Sequence, residues 1–232
     1  MPHLDFGLLL RGDYADWLLA GWLFSLQLTG LTLVFALPLA TVVALLRLSP
    51  FAPLRALGWA YVEAIRSVPL LVHLLFWYFG APEALPESVK SWLYAGNVEA
   101  VSAVIALTLY TAAYMGEDIR SGLRAVPSGQ VDAARALGLS WGSAMRWVIL
   151  PQALRITVPP LISQTLNLWK NTSIATVIGT AELMTQAQRV ESASFRGFET
   201  FAVVTGGYLM ISLLITALAE GFQRRYPVRL SH

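Results

Sequence analysis

The first residues in this chain able to do chemistry are ionisable groups set in apolar surroundings. Lys170 follows Leu168 and Trp169 and has Gln164, Asn167, Asn171 and Thr172 within about two helical turns. One ammonium, three side-chain amides and a hydroxyl form a set of donors and acceptors suited to holding a polar solute. They do not form the nucleophile-and-base pair that a hydrolytic or covalent reaction requires. A charge near the centre of a bilayer costs on the order of 2.5 to 3.5 kcal/mol, so it needs a cavity, a partner or a route to the interface. For Lys170 two readings stay open: donation to carbonyls or a carboxylate that fixes packing, or a place on a pathway lining. Arg66 lies three residues after Glu63, and this spacing predicts an ion pair on one helical face ahead of ligand contact. Glu117 and Arg120 stand in the same relation and read as structural. His73, on an apolar turn, reads as a packed histidine.

Other chemistries are disfavoured by residue type. Cysteine is absent, and the three histidines, His3, His73 and His232, are scattered, so no metal site is expected. A phosphate loop needs G-x-x-x-x-G-K-[ST], and neither Lys90 nor Lys170 is preceded by glycine. The net charge of +2 is too small, and basic residues too dispersed, to argue for a nucleic-acid partner.

The elements that must position these groups follow from composition. The chain is 56% hydrophobic and 13% charged, about half the charged share of a soluble domain, which puts it in a lipid bilayer. Only helices satisfy their own backbone there, in spans of roughly 20 residues. We predict an all-α polytopic membrane protein, one transmembrane domain over residues 1–232, with spans near 17–46, 54–80, 100–123, 150–178 and 201–222. Pro38 and Pro69 are expected to be tolerated inside spans, and Pro159-Pro160 to kink the fourth. The first residues carry Asp5, Asp13 and Asp16 and no basic run, so no cleaved leader is read there. With the N-terminus outside, Arg47, Arg55, Arg120, Arg124, Arg135, Arg146, Arg224, Arg225 and Arg229 face inward. Only Arg11, Lys90, Arg189 and Arg196 then face outward, as the bias of basic residues toward cytoplasmic loops requires. Trp22, Trp59, Trp77 and Trp92 read as interfacial aromatics.

Between the third and fourth spans, at about 125–150, lies a segment too polar to be buried and too patterned for a loose loop. Residues 131–137 are helix-prone, Gly138 suits a left-handed cap, Ser140 can cap a second short helix, and Pro151 is expected to follow that helix's end. Asp132 sits where the helix dipole favours an anion, and Ala133, Ala134 and Leu137 offer small and apolar atoms to a groove. The competing reading is a connector at the membrane interface.

GQVDAARALG at Gly129 to Gly138, followed by ILPQA at Ile149 to Ala153, resembles the cytoplasmic coupling motif of ATP-binding-cassette importer permeases. AAYMGEDIRSG (112–122), RSVPLLVHLLFWYFG (66–80) and LWKNTSIATVIG (168–179) resemble the polar amino-acid permeases, with glutamate/aspartate permeases the nearest kin. Asp132 stands where that motif usually has Glu, and Arg66-Ser67-Val68-Pro69 where Arg-Gly-Thr-Pro is usual. The resemblance implies a bacterial inner-membrane importer subunit that moves polar amino acids, acidic ones among the candidates. It implies no cofactor on this chain, with ATP and magnesium bound by two partner ATPase subunits, a second permease subunit, identical or paralogous, and an external substrate-binding protein. Gly129, Asp132, Ala133, Ala134, Leu137 and Gly138 would couple to the ATPase. Arg66, Gln164, Asn167, Lys170, Asn171 and Thr172 are the candidate pathway residues. The rival reading, an ion-gradient-driven secondary transporter or channel, calls for inverted repeats and matching helix breaks, which the sequence lacks.

Overall fold

A computed structural model describes residues 4–227; His3, Arg229 and His232 lie outside them. Among the described residues the chain is helical throughout, with no strand. The long helices are α1 (Gly12–Leu48), α5 (Val98–Arg124), α8 (Leu150–Asn171) and α10 (Gly197–Arg225). Three of them, α1, α5 and α10, are long and apolar enough to cross a membrane.

A fourth crossing would be the pair formed by α2 (Ala52–Arg66) and α3 (Leu70–Leu75), the latter continued by a π turn and a 3-10 turn to Ala84. The sequence predicts one straight span here, and the structure corrects that: the pair bends by 99° at Ser67-Val68-Pro69. Pro69 lacks an N–H, and its ring pushes Val68 away from helical backbone, so α2 stops. Pro69 then restarts the helix by accepting from Val72 N at 3.0 Å and His73 N at 3.3 Å. Pro159 and Pro160, by contrast, sit inside one uninterrupted α8.

The bundle centres on α5, more than half buried and packed on α1 and α8. Small residues make the first contact: Ala36, Ala40 and Ala44 of α1 meet Ala112 and Gly116, where a Cβ would lie 3.1 Å from the Ala40 carbonyl. Gly122 approaches α8 so closely that a Cβ there would sit 3.3 Å from the Thr157 Cα. Such close backbones let dispersion hold helices together where lipid offers no hydrophobic drive. Larger side chains, Leu28, Leu74, Leu107, Leu168 and Ile178, fill the core beside them. Asn97 caps α5 by accepting from Ala100 N at 2.8 Å.

α9 (Leu183–Ser194) lies along α1 and is tied at its start by buried polar atoms. Leu183 N donates to Ser25 Oγ at 3.1 Å. The Glu182 carboxylate accepts from Met184 N, Thr185 N and the Tyr208 hydroxyl. Burial nevertheless pushes the Glu182 carboxyl above the ordinary carboxylate range, against the pull of those donors. Trp22 and Trp77, expected at interfaces, pack inside, the first against α9 and α10 and the second on the central core, whereas Trp59 and Trp92 are exposed.

Candidate transport pathway and coupling elbow

The residues between Arg124 and Leu150 form a structured elbow. α6 (Ser128–Ala136) ends at Gly138, whose φ of +75° is left-handed. Gly138 N donates to Arg135 O at 2.9 Å and Leu139 N to Ala134 O at 3.1 Å, which closes the helix end as such a cap does. Ser140 Oγ then accepts from Ser143 N at 3.3 Å and starts α7 (Trp141–Ala144). Here the structure differs from expectation: α7 does not end before Pro151 but runs through a π turn (Met145–Ile149) directly into α8. Pro151 falls at the start of α8, where an absent N–H costs little.

Side-chain placement in the elbow also departs from the expected knob. Asp132, Ala133 and Gly138 are exposed, Leu137 shows 81% of its surface, and Gly129 has open space around it. Ala134, expected on the outer face, is buried against the elbow's own π turn. Trp141 and Trp147 are each 68% exposed beside Leu137 in sequence and were not singled out by sequence reasoning. Their aromatic character within a polar segment was the available signal.

The polar residues of α8 divide by face. Leu168 and Trp169 point inward, the Trp169 indole N–H donating to Tyr208 O at 3.2 Å. Gln164, Asn167, Lys170 and Asn171 line a hollow of about 460 Å³ together with Tyr110, Thr111 and Tyr114 of α5. The Lys170 ammonium makes no hydrogen bond or ion pair among the described residues, and its residue is exposed, so the hollow opens on the chain's own surface. Thr172 is buried and outside the lining, its hydroxyl donating to Trp169 O at 2.8 Å.

Arg66 reaches the edge of this hollow from α2. It does not pair with Glu63; its guanidinium lies 4.7 Å from the centre of the Tyr114 ring, a cation–π contact. One turn along α5, Asp118 faces Gln164 and the Arg66 charge, with Oδ2 buried and without a hydrogen-bond partner. Tyr110, Tyr114 and Asp118 therefore form one stripe at intervals of four residues, the two hydroxyls 3.3 Å apart. Sequence reasoning missed this stripe, although its spacing is regular. His73 is packed as expected, its Nε2 3.0 Å from Ile65 O and its ring edge-on to Tyr110.

Glu117 points the other way. It accepts from Arg120 Nη2 at 2.7 Å, as the spacing predicts, and also from Arg47 Nε of α1 at 2.8 Å. This three-charge cluster fixes α1 to α5 and leaves no free carboxylate for chemistry. Among the described residues no group of His, Asp or Glu could hold a metal ion. The arrangement as a whole can bind and release a polar solute.

Comparisons with known proteins agree with that arrangement. Residues 36–228 match the family model described as binding-protein-dependent transport system inner membrane component. The chain is 34% identical over 216 residues to the glutamate/aspartate import permease protein GltJ of Escherichia coli (strain K12), covering 91% of this chain and 88% of that one. It is 38% identical over 205 residues to the probable glutamine ABC transporter permease protein GlnM of Bacillus subtilis (strain 168), covering 88% and 91%. A crystal structure of an amino acid ABC transporter superposes with a TM-score of 0.83 at 32% identity, covering 96% of this chain and 99% of that chain.

Proposed function

The chain belongs to the binding-protein-dependent transport system inner membrane components, and from that membership we propose that it forms the membrane pathway of an ATP-driven importer for polar amino acids. The carrying observation is the hollow between α5 and α8, which holds an unpaired ammonium, three side-chain amides and two tyrosine hydroxyls. Lys170 offers a counter-charge to a carboxylate, and Gln164, Asn167 and Asn171 offer directional donors and acceptors for the rest of an amino acid. Arg66 orders Tyr114 at the edge, and buried Thr172 supports the helix without touching solute. Relatives named for glutamate/aspartate and for glutamine favour a polar, carboxylate-bearing solute.

The hollow opens outward from one chain, so a second permease subunit, identical or paralogous, would close it. In this reading the chain is a single permease domain that crosses the membrane five times. α1, the bent α2–α3 pair, α5, α8 with its 3-10 extension (Thr172–Ile178) and α10 are the crossings. The N-terminus lies outside and the C-terminus inside, in accord with the basic residues gathered around the elbow. Two ATPase subunits, which carry ATP and magnesium, dock on the exposed face made by Asp132, Ala133, Leu137, Gly138 and Trp141. An external binding protein delivers the solute to the opposite face.

Reconstituting the whole complex and measuring ATPase stimulation across a panel of amino acids tests this. Glutamate, aspartate or glutamine should stimulate, and Lys170→Met should reduce uptake of carboxylate-bearing side chains more than ATPase assembly. Normal transport of glutamate by that variant would remove Lys170 from the pathway. Stimulation by lysine or arginine alone would overturn the acidic preference, and stimulation by no polar amino acid would overturn the substrate class.

A further inference from the structure

Residues 4–11 fold back over the junction of α1 and α10 before α1 begins. Asp5 N donates to Glu199 Oε1 at 3.4 Å, and Leu9 is fully buried with Leu18, Leu183 and Val204. The neighbouring apolar side chains face outward instead: Leu4, Phe6, Leu8 and Leu10 are all exposed, Leu10 to 65%. Four such side chains in one short turn are unfavourable in water and favourable against hydrocarbon. The same turn carries charge. A hollow of about 690 Å³ is lined by Asp5, Leu8, Arg11, Asp13, Tyr14 and Trp17. Among the described residues Arg11 and Asp13 make no hydrogen bond or ion pair, despite their nearness in sequence. Beneath it, a groove of about 400 Å³ runs between α1, α9 and α10, walled by Leu10, Leu18, Leu19, Trp22, Val203 and Met210. Leu8 borders the polar hollow while Leu9 and Leu10 border the groove, so the two meet at one turn of chain.

We propose that this hollow and groove hold one phospholipid whose headgroup is zwitterionic and ends in a primary ammonium. Its phosphate rests on the Arg11 guanidinium, its ammonium lies between the Asp5 and Asp13 carboxylates, and one acyl chain follows the groove past Leu18 and Val203. Charge complementarity selects this occupant. One guanidinium beside two carboxylates gives an excess of negative charge, which repels an anionic glycerol headgroup and accepts a cationic tip. A choline tip carries no N–H donor, so it cannot hydrogen-bond the carboxylates, whereas an ethanolamine tip donates three times. The tyrosine and tryptophan at the rim, Tyr14 and Trp17, stacked edge to face at 5.7 Å, mark the depth at which headgroup gives way to chain. The site depends on the chain lying in a bilayer and not on which face is outside.

The assembled complex, extracted from membranes holding equal parts of phosphatidylethanolamine, phosphatidylcholine and phosphatidylglycerol, provides the test. Lipids retained per permease chain are counted by native mass spectrometry. Phosphatidylethanolamine should be enriched about fivefold over phosphatidylcholine, the size of effect expected from one partly exposed charge pair. Arg11→Gln and, separately, Asp13→Asn should each abolish the enrichment while leaving the melting temperature in detergent unchanged, because neither side chain has a partner within the chain. Equal retention of the three lipids, or enrichment that survives both substitutions, would overturn the site. A preference for phosphatidylglycerol would overturn the zwitterionic assignment. Loss of all retained lipid when the ATPase and binding protein are added would mean that a protein surface occupies the turn.

Discussion

Gly138 offers a test of the elbow in which backbone strain is the only quantity varied. Its φ is +75°, and a Cβ built there meets nothing within 4 Å, so a substitution is opposed by conformation and not by crowding. The left-handed region costs a residue with a side chain roughly 1 to 2 kcal/mol, less for asparagine, whose short amide tolerates it. If the elbow must hold this cap to present Asp132, Leu137 and Trp141, Gly138→Ala should lower the docking-competent population about 5- to 30-fold. Gly138→Asn should cost only a few-fold, and Gly138→Val should exceed both because β-branched residues avoid positive φ. Gly129→Ala is the control, since Gly129 also has open space but no positive φ. It should be neutral. The assay is co-purification of the ATPase with tagged permease, read beside uptake into vesicles. Insertion and permease pairing should be normal throughout, because the spans are untouched. Equal ATPase recovery across Asn, Ala and Val at position 138 would refute the argument and favour an inert connector. Ala134 is no longer a fair site for a bulky probe: its side chain is buried within the elbow, so enlargement would distort the fold before it tested docking.

Three further outcomes follow from the packing and the topology. Glu117→Gln removes the carboxylate shared by Arg47 and Arg120, all three less than a quarter exposed, and should cost about 1 to 3 kcal/mol after discounting the fully buried case for partial exposure. It should lower the melting temperature in detergent by several degrees, Arg120→Gln should lower it less, and equal losses would mean that Arg47 contributes nothing. Gly122→Ala would place a Cβ 3.0 Å from the Thr157 Cβ and closer still to its hydroxyl, so it should destabilise, while Thr157→Ala in the same chain should recover much of the loss. Failure of that rescue, read by size-exclusion stability, would mean the backbones and not the hydroxyl collide. Because the chain has no native cysteine, Ser128→Cys should resist an impermeant thiol reagent in intact cells while Ser88→Cys reacts, and labelling at 128 would invert the proposed orientation.

The parts of the fold legible beforehand are those set by apolar length. Spans predicted at 17–46, 100–123 and 201–222 correspond to α1, α5 and α10 to within a few residues at either end, because one requirement, a continuous apolar helix, dominates there. Pro69 was misjudged for a specific reason. Membrane helices tolerate proline when neighbours supply the freed carbonyls, and here the chain instead ends α2 and starts afresh from Pro69 O. The left-handed Gly138 was readable from the composition around it, whereas the π turn that carries α7 into α8 has no sequence signature. In the hollow, the α8 residues drew notice because charges and amides in an apolar span are conspicuous. The α5 wall did not, since tyrosines at 110 and 114 pass for ordinary apolar filling until Asp118 is set on the same stripe. Arg66 could not be paired correctly without the third dimension: Glu63 was near in sequence, and Tyr114 was near in space.

The close crossing of α5 and α8 at Gly122 and Thr157 has a mechanical consequence. Backbones in such contact have no room to slide, so relative motion of the two helices must be rotation about the crossing. Thr157 lies 7 residues from Leu150, where the elbow joins α8, and 13 from Lys170. At 1.5 Å per residue those arms are about 10 Å and about 20 Å. The crossing is then a fulcrum with unequal arms, and the long one carries the ammonium. A shift of about 1 Å delivered at the elbow would swing Lys170 through about 2 Å, comparable to the difference between a hydrogen-bonded and a released carboxylate.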